Sequence, residues 1–201
     1  MNTGALIQTG NYFKNDADFN ELYAFSIQLL SKRHWTPLHI ARLATEFLVD
    51  KKNCKILDIG SGVGKFCLTG AHYAPDAHFF GIEQRENLIR HARNAQKILG
   101  IQNVSFIPGN FTELKFREFD HFYFYNSFYE NLDDLDRIDK KIDYSEGLYE
   151  YYTRYLNNAL KEMPKGTKIV TYHSFNTEIP AEYKLVEAFE NNNLNFWIKK
   201  S

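Results

Sequence analysis

Cysteine is nearly missing from the chain: Cys54 and Cys67 are the only two among 201 residues, and they do not form a Cys-x-x-Cys pair. A disulfide framework is excluded, and structural zinc and thiol redox chemistry lack a ligand set. Both thiols read as small buried apolar groups. Long apolar runs are missing too. No stretch approaches membrane-spanning length, and Met1 to Asn11 has neither the basic start nor the apolar centre of an export signal. The expectation is a cytoplasmic protein with no membrane partner. There is also no excess of one charge: 24 basic and 25 acidic side chains leave a net charge of −1. No global field recruits nucleic acid or an acidic membrane surface, so the sequence offers no evidence for a nucleic-acid partner. Internal repeats and low-complexity tracts are absent.

What is abundant is material for a core. Hydrophobic residues make up 44% of the chain, and 17 Phe with 13 Tyr raise the aromatic share to 16%, far above what a disordered chain carries. Two hundred residues of this composition bury one substantial core rather than two, in a monomer or weak homodimer.

Residues 16 to 31 place Phe19, Leu22, Tyr23, Phe25, Ile27, Leu29 and Leu30 at spacings that include three and four, which predicts a helix capped by Asp16 or Asp18. Thr36-Pro37 predicts the cap and first position of a second helix running to about Asp50. From Cys54 onward, short apolar runs alternate with helical segments, the pattern of parallel strands joined by crossover helices. The strands are expected at Lys55 to Ile59, His78 to Ile82, Val104 to Ile107, His121 to Tyr125 and Lys168 to Tyr172. Helices are expected from Lys65 to Tyr73 and from Glu86 to Leu99, the latter stopped at Gly100. Tyr183 to Phe189 and Leu194 to Lys199 read as a closing hairpin. Between Glu130 and Asp143, five aspartates (Asp133, Asp134, Asp136, Asp139 and Asp143) with few aromatics predict an exposed loop or lid, read as solvated rather than as a peptide or metal site.

Gly60, Gly62 and Gly64 directly follow the first strand and precede a helix, so their backbone can close against a small ligand. The dinucleotide fingerprint Gly-x-Gly-x-x-Gly fails in both registers, because Lys65 or Cys67 stands where the third glycine belongs. Asp58, two residues before the loop, would repel a pyrophosphate and welcome a cation. S-adenosylmethionine, with its ammonium and sulfonium, satisfies both observations. Glu83 ends the second strand 19 positions after Gly64, about the distance at which an acid reaches a ribose diol in nucleotide-binding sheets.

In this order of acid, glycine loop and acid, the chain resembles the class I S-adenosylmethionine-dependent methyltransferases over roughly residues 36 to 200. The resemblance implies a seven-stranded Rossmann-like α/β sheet with helices on both faces, a C-terminal antiparallel hairpin and N-terminal helices. It implies an extension, 1–52, that covers the cofactor site and a methyltransferase domain, 53–201. It also implies that Asp58, Gly60, Ser61, Gly62 and Gly64 line the methionine end of S-adenosyl-L-methionine. Glu83, followed by Gln84, binds the ribose, Asn110 and Phe111 of Gly109-Asn110-Phe111 hold the adenine, and Trp35 and Thr36 close over the cofactor. The motifs Asp-Ile-Gly-Ser-Gly-Val-Gly (58–64), Gly-Asn-Phe (109–111), Tyr-Asn-Ser-Phe (125–128) and Gly-Thr-Lys-Ile-Val (166–170) are similar to those of the disruptor-of-telomeric-silencing class of lysine methyltransferases. The basic nucleosome-binding tail of that class has no counterpart here.

The fourth strand ends in Tyr123-Phe124-Tyr125-Asn126-Ser127-Phe128-Tyr129, at the sheet edge where open α/β folds bind ligands. Asn126 can accept a hydrogen bond from an acceptor amine and lies close enough to touch the cofactor. Phe128 and Tyr129 can pack on the acceptor, and His173 is a candidate base. No metal is expected. The acceptor, an amine or hydroxyl of a protein or small molecule, is not specified. Two rivals are kept: an NAD(P)- or nucleotide-sugar-binding enzyme, and a non-catalytic S-adenosylmethionine-binding protein.

Overall fold

The computed structural model describes residues 11–132, 138–139 and 142–201. The strands form where runs of branched and aromatic residues can be buried on both sides. They are β1 (Lys55–Ile59), β2 (His78–Glu83), β3 (Val104–Pro108), β4 (His121–Tyr125), β5 (Lys168–Tyr172), β6 (Tyr183–Phe189) and β7 (Leu194–Lys199). They build one seven-stranded sheet in the order β3-β2-β1-β4-β5-β7-β6. The first five strands in that order are parallel, and β7 runs antiparallel to both β5 and β6. The order reverses between β1 and β4, so their loops diverge at the carboxyl edge and leave a crevice there.

Side chains alternate across the sheet with a period of two. On one face Ile56, Phe79, Tyr123 and Val170 meet α4 (Leu38–Leu48), α5 (Lys65–Tyr73) and α6 (Glu86–Leu99). On the other, Leu57, Phe122, Phe124 and Ile169 meet Leu156 and Leu160 of α7 (Glu146–Lys161), helped by Phe111 and Phe116 from two one-turn 3-10 helices. The expected α/β architecture, with helices on both faces and a closing hairpin, is the observed one. No helix among the described residues is long and apolar enough to cross a membrane.

Three expectations change. The helix predicted over 16–31 is three short pieces, α1 (Asp16–Asn20), α2 (Phe25–Gln28) and α3 (Ser31–His34), because tertiary contacts outcompete a single stripe. Phe19, Tyr23 and Trp35 all turn inward while Phe25 stays 74% exposed, and the Gln28 amide donates to the Tyr23 carbonyl left open by the break (2.8 Å). Thr36 does not cap α4. Its hydroxyl shares a hydrogen bond with the Tyr123 phenol (2.9 Å), and α4 starts after Pro37 with no side-chain cap. Finally α7, which the sequence pattern did not predict, is capped by Ser145, whose side chain accepts from the Leu148 N–H. In the acidic stretch, Asp133, Asp134 and Asp136 lie outside the described residues; Glu130 to Leu132, Ile138, Asp139, Ile142 and Asp143 are described.

Candidate functional site

A cleft opens at the carboxyl edge above the switch point, with about 1070 Å³ of space between its walls and out through its open mouth, in the position where open α/β sheets bind ligands. Behind it lies a recess of about 320 Å³, lined by His34, Trp35, Thr36, Asp58, Ser61 and Lys65 among others. The floor of both is the glycine loop. Gly64 has φ +82°, and a Cβ there would collide with the Phe106 ring, so only glycine lets α5 start this close to β3. Gly62 has φ +53° with open space where a Cβ would stand, which leaves the cleft side of the loop approachable. The Tyr23 phenol donates to the Val63 carbonyl (3.0 Å), fixing the N-terminal helices onto the loop. Lys65, buried in α5, pairs with Asp16, whose carboxylate also accepts the Leu38 N–H (3.0 Å).

Two acids face this space. Asp58 is 3% exposed, and the one hydrogen bond found for its carboxylate among the described residues comes from the Cys67 thiol (3.6 Å). Burial pushes its carboxyl up to about 8, the nearby Glu83 charge adding to the effect and the thiol opposing it. The neighbouring Ser61 Oγ is buried with no partner among the described residues. A buried carboxylate and an orphaned hydroxyl in one recess are polar groups in want of a polar, cationic ligand. Glu83 is better satisfied: its carboxylate accepts from the Gly62 N–H (3.1 Å) and the Arg85 N–H (2.8 Å), with the Arg85 guanidinium 3.6 Å away. Burial raises the Glu83 carboxyl, opposed by these Arg85 and Gly62 contacts.

The opposite wall is aromatic. Phe111 and Phe128 stack with centroids 5.1 Å apart and 23° between planes, and Tyr152 of α7 lies 5.5 Å from each. Asn110 sits beside this wall rather than among the lining residues: its Oδ1 accepts from the Thr112 N–H and hydroxyl, and its Nδ2 donates to the Tyr152 phenol (2.9 Å). The exposed Gln84 lines the cleft and accepts weakly from Asn110 (3.4 Å). At the end of β4, Asn126 has φ +40°, its carbonyl accepts the Tyr129 N–H (3.1 Å), and Ser127 Oγ donates to the Ile59 carbonyl (2.5 Å). This turn puts Tyr125, Asn126, Ser127, Phe128 and Tyr129 on the cleft wall.

The structure therefore gathers Thr36, Asp58, Gly60, Ser61, Gly62, Glu83, Gln84, Phe111, Asn126, Phe128 and Tyr129 around the cleft and its recess. It does not bring in Gly64, which packs beneath the loop, or His173, an exposed residue whose ring lies against Tyr172 and Tyr125 outside the lining. Phe128 is only 4% exposed and belongs to the aromatic wall. Sequence reasoning missed His34, Arg85, Tyr144 and Tyr152, all lining residues; helical periodicity over 146–161 could have flagged Tyr152.

A second cluster of ligand-type side chains, Asp50, Cys54 and His121, lies at the amino edge of the sheet. His121 Nδ1 accepts the Lys168 N–H (3.0 Å), so the neutral ring carries its proton on Nε2, toward Asp50 at 3.1 Å. Neither nitrogen then offers a metal a lone pair, and the Lys168 ammonium lies 3.2 Å from the same Asp50 oxygen. The cluster ties α4 to β4 and β5.

A family model described as "Methyltransferase domain" matches residues 50–197. The tRNA (guanine-N(7)-)-methyltransferase of Microcystis aeruginosa is 43% identical over 54 residues, 27% of this chain and 26% of that protein. Among solved structures, TrmN from Thermus thermophilus has a TM-score of 0.61 at 16% identity, covering 87% of this chain and 52% of that one. An RNA methyltransferase from Salinibacter ruber, solved in complex with S-adenosyl-L-homocysteine, has a TM-score of 0.56 at 19% identity, covering 83% and 94%. The two structural likenesses are of fold. The chain thus matches about a quarter of the length of the Microcystis protein and about half of the Thermus protein.

Proposed function

The chain belongs to the methyltransferase-domain family, the class I S-adenosylmethionine-dependent methyltransferases, and from that premise we propose that it moves a methyl group to a nitrogen of its acceptor at the end of β4. When bound, the donor supplies an electrophilic methyl on a positively charged sulfur. The observation that carries the reading is the buried Asp58 carboxylate beside the unpartnered Ser61 hydroxyl, a pair suited to an ammonium and its neighbouring carboxylate. Glu83, in the cleft lining, accepts from the ribose diol in this reading, and Phe111 with Phe128 offers a flat apolar wall for adenine. The N-terminal helices, through Tyr23, Trp35 and Thr36, serve as the cover of the donor site.

At the other end of the cleft, the Asn126 amide orients the acceptor by taking a hydrogen bond from its N–H, which turns the lone pair toward the methyl. Tyr125 and Tyr129 surround it and keep water out. Positioning and desolvation of this kind supply most of the acceleration in a displacement of a neutral amine. A protein or small-molecule amine is the first reading, since lining residues Glu83, Glu130 and Asp143 outnumber Arg33 and Arg85. An RNA base is the second, favoured by the identity to the Microcystis tRNA methyltransferase.

Methyl-tritiated S-adenosylmethionine, incubated with the protein and a lysate split into RNA, protein and small-molecule fractions, tests the proposal. Label should enter one fraction with wild type, and Asn126→Ala should lower that rate roughly 100-fold while still binding S-adenosylhomocysteine. Label in the RNA fraction selects the second reading, and a fully active Asn126→Ala removes the role given to Asn126.

A further inference from the structure

The Arg85 side chain is a heavily bonded cation in the cleft, and the methyl-transfer reading has no use for it. It follows Glu83 by two residues, is 6% exposed, and draws on two separate parts of the chain. Toward the sheet, its Nη1 lies 3.6 Å from the Glu83 carboxylate. Toward the segment after β4, its Nη2 donates to Glu130 (2.5 Å) and to the Tyr144 phenol (2.6 Å), and its Nε to Asp139 (3.4 Å). The phenol has one proton to give, shared between the Asp139 carbonyl (2.8 Å) and Glu130 (3.1 Å). Glu130 also accepts the Ile138 N–H (3.2 Å). A continuous chain of charge-assisted contacts thus runs from the Gly62 N–H through Glu83 and Arg85 to Glu130, Asp139 and Tyr144.

Three carboxylates crowd one guanidinium, and Asp58 faces Glu83 from β1. Without the cation, the buried Glu83 would face the Asp58 and Glu130 charges less well offset and would more readily take up a proton. We propose that Arg85 is a positioning residue for the donor's ribose: it holds Glu83 ionised and aimed across the floor of the cleft, and fastens Glu130, Asp139 and Tyr144 beside it as part of the same wall. An ionised Glu83 can accept from both hydroxyls of a diol, whereas a protonated one accepts less well and must donate. The planar fork of arginine reaches both sides at once, which the point charge of lysine cannot do. This inference rests on the role given to Glu83 above.

5′-Methylthioadenosine separates the two acids, because it carries the ribose and adenine but no ammonium for Asp58 to meet. Its affinity, measured by calorimetry from pH 6 to 8.5, should be nearly flat for wild type. Arg85→Gln should bind it roughly 10- to 100-fold more weakly at pH 6 and recover much of the loss at pH 8.5, as Glu83 ionises again. Arg85→Lys should keep the flat profile at a uniformly lower affinity, and Tyr144→Phe should lose about fivefold at every pH. A merely structural role predicts the same loss at all pH values for Arg85→Gln, and that result, or wild-type binding by it, overturns the inference. Should Arg85→Gln fail to fold, wild-type affinity in both Arg85→Lys and Tyr144→Phe overturns it equally. If wild type binds neither S-adenosylhomocysteine nor methylthioadenosine, the donor reading falls and takes this one with it; if wild type binds both, only the Arg85 result is at stake.

Discussion

Asp58 concentrates the chemistry of the site in one side chain. Its carboxyl is raised to about 8 by burial, so between the ordinary carboxylate value near 4 and that value the folded protein holds a proton that the unfolded chain has released. Folding stability from this group is full below about pH 4 and is lost as pH rises through 8, by up to about 1.4 kcal/mol per pH unit. Asp58→Asn cannot release a proton and should therefore gain stability relative to wild type as pH climbs from 5 to 9 in the ligand-free state, which thermal melts would read. Donor binding runs the opposite way. An ammonium favours the ionised acid, so wild-type affinity for S-adenosylhomocysteine should rise by up to about tenfold per pH unit toward pH 8, whereas Asp58→Asn binds weakly and with no such slope. Equal slopes in the two proteins would refute the pairing of Asp58 with a cation.

At the scale of elements, the strands were readable because each is a short apolar run bounded by glycine, proline or polar residues, and all seven lie where the runs predicted them. The glycine loop and Glu83 were readable because their order along the chain carries the chemistry. Arg85, Tyr144 and Tyr152 were not, since each acts on residues more than 40 positions away or on an element the pattern did not reveal. The breaks within 16–31 escaped for a related reason: the pull of Val63 on Tyr23 is invisible to periodicity. Helix α7 is the costliest omission, because it is the only α-helix among the described residues that covers the second face of the sheet. Leu156 is 1% exposed, and Leu156→Ala should cost about 2–5 kcal/mol by the lost burial and the cavity left behind. Denaturant melts would read this, and a loss under 1 kcal/mol would mean that α7 is not packed as described.

Across the whole molecule, a near-neutral chain concentrates acidity in one place: Asp58, Glu83 and Glu130 converge on a crevice that a parallel sheet opens at its switch point. Once Asp58 is ionised, that concentration disfavours a pyrophosphate and favours a cationic donor, and Asp58, two residues before the glycine loop, is the acid that sets this site apart from dinucleotide enzymes with a similar sheet. Calorimetric titration of the wild-type protein at pH 8 with S-adenosylhomocysteine and, in parallel, with NAD is the most direct test of this. Saturable micromolar binding of S-adenosylhomocysteine with no heat from NAD is the predicted result; NAD binding in that range without S-adenosylhomocysteine binding would contradict it.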